Sequence, residues 1–263
     1  MSSFSGPGEA GLYQPERGAA QAVWPVGGPA GRARVRSHID AGGSPLHLMN
    51  GQPTPVFPSR DRIRQLALKR LFDIAVALAA LMVLAPLFCL VAVAIRLGSR
   101  GPVFFRQTRE GYEGRAFRMF KFRTMHVEDC DVSGVSQTIE GDPRVTAVGR
   151  FLRRTSIDEL PQLINVVLGD MSIVGPRPHV SGMMAGGMLY TQLVPYYSAR
   201  LDMLPGITGW AQANGLRGTT QDSAVAKARI DYDIAYIQNF SLMLDLRIIW
   251  MTFRREFISG TGS

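Results

Sequence analysis

Cysteine is nearly missing from this chain. The only two, Cys89 and Cys130, cannot build a disulfide framework, and Cys89 lies inside an apolar run. No CxxC pair, HExxH helix or GxxxxGK[ST] loop occurs, which excludes the usual zinc sites and P-loop chemistry. Acidic side chains are also scarce: 21 Asp and Glu face 29 Lys and Arg, a formal charge of +8. That balance favours an anionic partner, whether nucleic acid, a phosphorylated substrate or the cytoplasmic face of a membrane. Nucleic acid is the weakest of these and is not expected, because no recognition motif appears and the basic residues gather around an apolar segment. The first 60 residues have few long apolar side chains but ten glycines and eight prolines, too little to offset the entropy of ordering. Residues 1–60 read as a disordered cytoplasmic tail, without the apolar region behind a basic start that marks a signal peptide. Arg32, Arg34 and Arg36 leave a binding arm as the alternative.

Charge is absent altogether from Ile74 to Ile95, "IAVALAALMVLAPLFCLVAVAI", 22 residues long enough to cross a hydrocarbon core as a helix. Both flanks are basic, with Lys69 and Arg70 before it and Arg96, Arg100, Arg106 and Arg109 after it. The positive-inside rule places both ends in the cytoplasm. Pro86 stands near the middle and removes a backbone hydrogen bond. A helix-break-helix hairpin over residues 61–100, entering one leaflet and returning at Ala85–Pro86, satisfies both observations. A straight span with a proline kink is the alternative. Asp73, at the entry, is expected at headgroup depth beside Lys69 and Arg70.

The remainder, residues 101–258, reads as a mixed domain. "GPVFFRQTREGYEGRAFRMFKFRTM" gives two strands around a Gly111–Gly114 turn. Phe117, Met119, Phe120 and Phe122 do not alternate, so the second strand is expected to be buried on both faces. Residues 126–143 form a polar loop. Its His126, Glu128, Asp129, Cys130 and Asp131 match no metal spacing and read as solvated. "VTAVGRFLRR", "LPQLINVVLGDM", "DSAVAKARIDYDIAYIQNF" and "SLMLDLRIIWMTFRREF" are helical, the last with Ser241 as N-cap. Trp250 and Phe253 make that helix suit a membrane interface or docking into the core. Pro176 and Pro178 hold Arg177 in an extended stretch.

"RRTSIDELPQ", residues 153–162, carries the chemistry. Ser156 and Glu159 form a formal capping box, but Pro161 then falls too deep in the helix. A helix beginning nearer Asp158 to Leu160 puts both carboxylates at its positive end, where ionisation is favoured. An ionised aspartate behind Arg153 and Arg154 can attack phosphorus without a base. Attack by an anion on a pyrophosphate requires arginines or a magnesium ion to neutralise the phosphate charge.

Taken in order, "KRLFD", "GPVFFRQTREGYEGRAFRMFKFRTM", "DPRVTAVGRFLRRTSIDELPQLINVVLGDMSIVGPRP", "PGITGWAQANG" and "DYDIAYIQNFSLMLDLRIIWMT" resemble the bacterial sugar transferase family. These are monotopic phosphoglycosyl transferases that begin extracellular polysaccharide or glycoconjugate assembly. The resemblance implies an α+β protein, a membrane re-entrant hairpin plus a small cytosolic α/β catalytic domain with interfacial amphipathic helices. It implies transfer of a sugar 1-phosphate from a UDP-sugar, such as UDP-glucose or UDP-galactose, to undecaprenyl (polyprenyl) phosphate, with release of UMP. The route would be ping-pong, through a phosphosugar on Asp158. Glu159 would complete the dyad as a Mg2+ ligand, with Asp158 as the second. Arg153 falls at a phosphate-binding position, Lys121, Arg123 and Arg177 at basic motif positions, and Arg200 where the family is often basic. The implied location is the bacterial inner membrane, with the lipid bilayer as a partner and the active site facing the cytoplasm. A homodimer is allowed but unsupported by the residues. Three positions depart from the family: Ala85 replaces the serine of a common Ser-Pro break, and Leu204 and Leu216 stand where arginine is usual. Arg217 follows one place later as a substitute. These departures leave room for a second reading, a catalytically silent membrane-anchored assembly or regulatory protein.

Overall fold

The computed structural model describes residues 46–127 and 142–255, except 50, 55, 57, 58, 217 and 219. Most of the 1–60 tail, the loop residues Glu128, Asp129, Cys130 and Asp131, and Arg217 therefore lie outside the described residues. The end of the tail lies inside, and it is not free chain. Leu48–Met49 pairs with Gln52–Pro53, Leu46 is buried in a core cluster, and the His47 N–H donates to Gln238 Oε1 at 3.0 Å.

The dominant element is one 39-residue helix, α1 (Arg60–Gly98), started by Ser59, whose Oγ accepts the Arg62 N–H at 3.1 Å. It is long and apolar enough to cross a membrane. A break at Ala85–Pro86 is not formed, because helix continues through both residues. Pro86 leaves the Met82 carbonyl without its usual donor. Packing on both sides holds the element together. Lys69, Asp73, Ala77, Leu81, Leu84, Leu87, Val91 and Ile95 return every three or four residues on one side, and their face meets the rest of the protein along its length. The other side, with Leu71, Met82, Val83, Leu90, Val93 and Leu97, is exposed and apolar.

Beyond α1, β1 (Phe104–Glu110) and β2 (Ala116–Phe122) form the expected antiparallel ribbon, in register from Phe104 opposite Phe122 to Glu110 opposite Ala116. β2 is buried along one face, where Phe117 and Met119 pack with Ala77, Leu163 and Val166. The other face exposes Ala116 and Arg118 and is buried only at its end, where Phe122 packs with Val91, Ile95 and Leu152, so the expected burial on both faces holds only there. Helix α2 (Ala147–Arg154) is capped by Thr146, and α3 (Gln162–Leu168) ends at Gly169 with φ 101°. A parallel pair follows, β3 (Ser172–Val174) with β4 (Gly206–Thr208). The two chains come so close that a Cβ on Gly206 would lie 2.0 Å from the Gly175 nitrogen. Helix α4 (Ser223–Gln238) is buried around nearly its whole circumference. Helix α5 (Leu242–Phe253) buries Asp245, Ile248 and Met251 and exposes Met243, Leu246, Trp250 and Phe253, so core docking and an apolar outer face coexist on it.

Asp73 lies beside Lys69 and Arg70, but protein rather than solvent surrounds it and Lys69. Both are inside the protein, 1% and 3% exposed. Lys69 Nζ lies 2.6 Å from Asp245 Oδ2 and 3.6 Å from Asp73 Oδ2. Asp73 also accepts from Ser172 Oγ at 2.7 Å and the Ile173 N–H at 3.2 Å, and Tyr236 donates to Asp245 at 2.6 Å. Arg70 turns inward as well, toward the carbonyls of Val167 and Met171 at the end of α3. The physical reason is that two carboxylates and one ammonium can be buried only with partners, and β3, α4 and α5 together supply them. Replacing Lys69 by Met leaves both carboxylates without their cation. We expect Lys69→Met to cost roughly 3–5 kcal/mol, read as a lowered midpoint of chemical denaturation in detergent.

Candidate active site

Two segments converge on a carboxylate held by a third. Lys121, near the end of β2, places Nζ 2.8 Å from Glu159 Oε1, and Arg177, just after β3, places Nη2 2.9 Å from the same oxygen. Glu159 sits in a single 3-10 turn, Ile157–Glu159, between α2 and α3. The chain reaches it through Ser156 in the left-handed conformation, φ 55°. That is uncommon for a residue with a Cβ, and it turns the dipeptide back toward the ribbon. The capping-box geometry is not formed: Ser156 makes no side-chain cap bond, and Glu159 is held by the two cations instead. Nor does an α-helix begin at Asp158, since α3 starts only after Pro161.

Asp158 is 8% exposed, and among the described residues none hydrogen-bonds its carboxylate. Burial pushes it up to about 6; Lys121 opposes this, Glu159 reinforces it, and Arg153 and Arg177 oppose it. Burial also raises Glu159, but Arg177 and Lys121 outweigh it and hold that carboxyl well below the usual range. Two adjacent carboxylates are thus separated in acidity by their surroundings. At neutral pH both are ionised, Asp158 as the more basic and less solvated. Helix-end stabilisation is not what sets it.

Several expected residues fall elsewhere. Arg153, in the last turn of α2, reaches Thr124 Oγ1 at 2.8 Å and belongs to the field around Asp158. Arg123 is buried, donating to the carbonyls of Ser99 (2.9 Å) and Arg100 at the end of α1. Arg200 is fully buried, paired with Asp233 at 2.9 Å, and donates to the Arg177 carbonyl. Both guanidiniums position backbone here, Arg200 directly behind Arg177. Leu216 packs in the core with Ala211, Ala228 and Tyr232. Sequence reasoning missed Asn165. Its Oδ1 accepts the Phe120 N–H at 2.9 Å, and its Nδ2 donates to the Arg118 carbonyl at 2.8 Å, locking β2 to α3 and so Lys121 to Glu159. The only sequence signal was an amide set between Leu163, Ile164, Val166 and Val167. Arg109 was missed too. It is pushed down to about 10, chiefly by burial, then by Arg177, with Glu159 opposing.

Among the described residues no cluster of three or more His, Cys, Asp or Glu could hold a metal unaided. Asp158 and the second oxygen of Glu159 nevertheless fit magnesium arriving with a diphosphate, since this ion takes one or two carboxylates plus substrate oxygens.

Residues 64–259 match the family described as bacterial sugar transferase. The chain belongs to the bacterial sugar transferase family. The transferase is 55% identical over 197 residues to "Exopolysaccharide production protein PSS" of Rhizobium leguminosarum bv. phaseoli, covering 75% of this chain and 98% of that one. It is 46% identical over 222 residues to a UDP-glucose:undecaprenyl-phosphate glucose-1-phosphate transferase of Caulobacter vibrioides, covering 83% and 79%. A protein of the same name from Escherichia coli strain K12 is 45% identical over 217 residues, covering 82% of this chain and 46% of its own. The transferase thus spans nearly all of the Rhizobium protein and just under half of the E. coli one.

The acidity of Asp158 yields a stability prediction. Its folded value, about 6, exceeds the ordinary 3.8, so its contribution to stability is greatest when protonated and is lost as pH rises from about 4 through about 6. Asp158→Asn removes that loss. The variant should be more stable than the parent at pH 7.5, by on the order of 3 kcal/mol at most, with the difference vanishing near pH 4 in thermal melts.

Proposed function

We propose that the transferase moves a sugar 1-phosphate from a UDP-sugar to undecaprenyl phosphate, with UDP-glucose as the donor suggested by the names of the E. coli and Caulobacter relatives. The observation that carries this reading is the nearly buried, unbonded Asp158 carboxylate beside a cation-held Glu159. An Asp158 oxygen attacks the β-phosphorus of the donor, and the bond to the bridging oxygen breaks. UMP leaves with that electron pair and needs little acid assistance, because its second pKa is about 6. A phosphate oxygen of the polyprenyl acceptor then attacks the same phosphorus and releases the Asp158 carboxylate. Arg153, Arg177 and Lys121 provide positive charge where the transferred phosphoryl group gathers negative charge. Glu159 holds Lys121 and Arg177 in place. Magnesium, held by Asp158 and Glu159 with donor oxygens, would neutralise the diphosphate.

The proposed topology keeps both basic ends of α1 on the cytoplasmic side of the inner membrane. Support comes from packing: Lys69 near one end and Ile95 near the other both contact the same domain, which a simple crossing would separate. The outward side chains around Pro86, Met82, Val83 and Leu90, then form the part that meets lipid. The exposed face of α5 lies at the interface. Retention of Asp158, Glu159 and their cations counts against a silent assembly protein.

With purified protein in nanodiscs, UDP-glucose and undecaprenyl phosphate should give lipid-linked sugar and UMP. Asp158→Asn should lower the rate by roughly 10^4-fold or more, and mass spectrometry of the parent without acceptor should locate a hexose phosphate on Asp158. Undiminished turnover by Asp158→Asn would remove the nucleophile assignment. In the parent, kcat/KM should rise with pH and reach half its plateau near 6, where Asp158 loses its proton. Chelation by EDTA should abolish turnover, and added Mg2+ should restore it.

A further inference from the structure

An open cleft of about 480 Å3 lies where α1 gives way to β1, lined by Pro102, Val103, Phe104, Phe105, Val127 and two arginines, Arg106 and Arg123. Its size falls within the roughly 300–1,000 Å3 of small-ligand sites. None of the chemistry described above uses it. Its walls are apolar, and Arg106, the exposed cation at its mouth, lies with its guanidinium carbon 4.9 Å from the centre of the Phe120 ring. The cleft begins four residues beyond the end of α1, whose last turn exposes Leu97, so it opens at the level where the apolar helix surfaces.

Its inner wall touches the site. Phe105 stands directly opposite Lys121 in the ribbon, so their side chains leave the same face as neighbours. Lys121 Nζ is 2.8 Å from Glu159. A ligand with an apolar body in this cleft therefore has its polar end within reach of the carboxylate pair and its cations. A sugar nucleotide has no apolar chain to place there. A polyprenyl phosphate has, and a single C–O bond joins its phosphate to its first isoprene unit, so a phosphate held at Asp158 fixes where the chain must start.

We propose that this cleft receives the first isoprene units of the acceptor, with Phe105 as the residue that distinguishes acceptor from donor. The proposal rests on the transfer reaction above and names the acceptor's subsite within it. An isoprenoid is preferred over a bulk phospholipid because Phe105 stands beside Lys121, so the cleft leads to the reacting carboxylates.

Steady-state kinetics in nanodiscs test it. Phe105→Ala should raise the KM for undecaprenyl phosphate about tenfold and leave the KM for UDP-glucose within about twofold. Phe105→Leu, which keeps the apolar wall, should recover most of the loss and show that the fold is intact. Unchanged acceptor KM, or equal shifts in both KM values, would overturn the assignment. A polyprenyl phosphate carrying a diazirine on its first isoprene should label residues 102–106 of the parent protein. Excess undecaprenyl phosphate should block that labelling, and phosphatidylglycerol should not. Equal protection by both lipids would make the cleft a general lipid site and defeat the proposal. If the parent transfers no sugar from any UDP-sugar, the reaction itself is wrong. If it transfers normally while Phe105→Ala keeps its acceptor KM, only the cleft assignment fails.

Discussion

Two cations share one oxygen, and the arrangement around Asp158 follows from that. Glu159 Oε1 receives Lys121 from the ribbon and Arg177 from the segment after β3, two groups that would repel each other without the charge between them. Because each is anchored on a different element, the contact fixes β2, the 3-10 turn and the β3 exit relative to one another. Asn165 enforces the first of these alignments and the Arg200–Asp233 pair supports the second. Asp158, next in the chain, is drawn into the same enclosure without a bond of its own. Glu159 gives up its basicity so that Asp158 can keep its own.

Much of this could be read from the chain, and the exceptions share a cause. The ribbon, the four longer helices after it and the Gly169 stop follow from periodicity, caps and turn residues, which are local signals. Asp158 and Glu159 stood out through neighbouring arginines and Pro161. The burial of Lys69 and Asp73 could not be read in the same way. A lysine and an aspartate four residues apart beside an apolar run look alike whether lipid headgroups or protein surround them. Asp245, which decides the matter, is 176 residues away in sequence. Arg123 and Arg200 are similar cases. An arginine that grips backbone carbonyls and one that grips phosphate present the same letter in the same basic motif.

The formal capping box fails for a different reason. Ser156 and Glu159 carry the right spacing, but the left-handed turn at Ser156 spends both residues on reversing the chain. A tertiary demand, two cations waiting for a carboxylate, outweighs a local preference worth on the order of 1 kcal/mol.

The seam along α1 has a practical corollary. Ala77, Leu84, Val91 and Ile95 supply part of two hydrophobic clusters, and Lys69 is the counter-ion of an aspartate in α5. The long apolar helix is therefore also a wall of the domain that follows it. A soluble fragment beginning at Gly101 would bare the undersides of Phe117, Met119 and Phe122 and strand Asp245 without its ammonium. Amputating the anchor is thus no route to a water-soluble enzyme. Solubility has to be engineered on the outward side, at Leu71, Met82, Val83 and Leu90, where polar replacements leave the seam untouched.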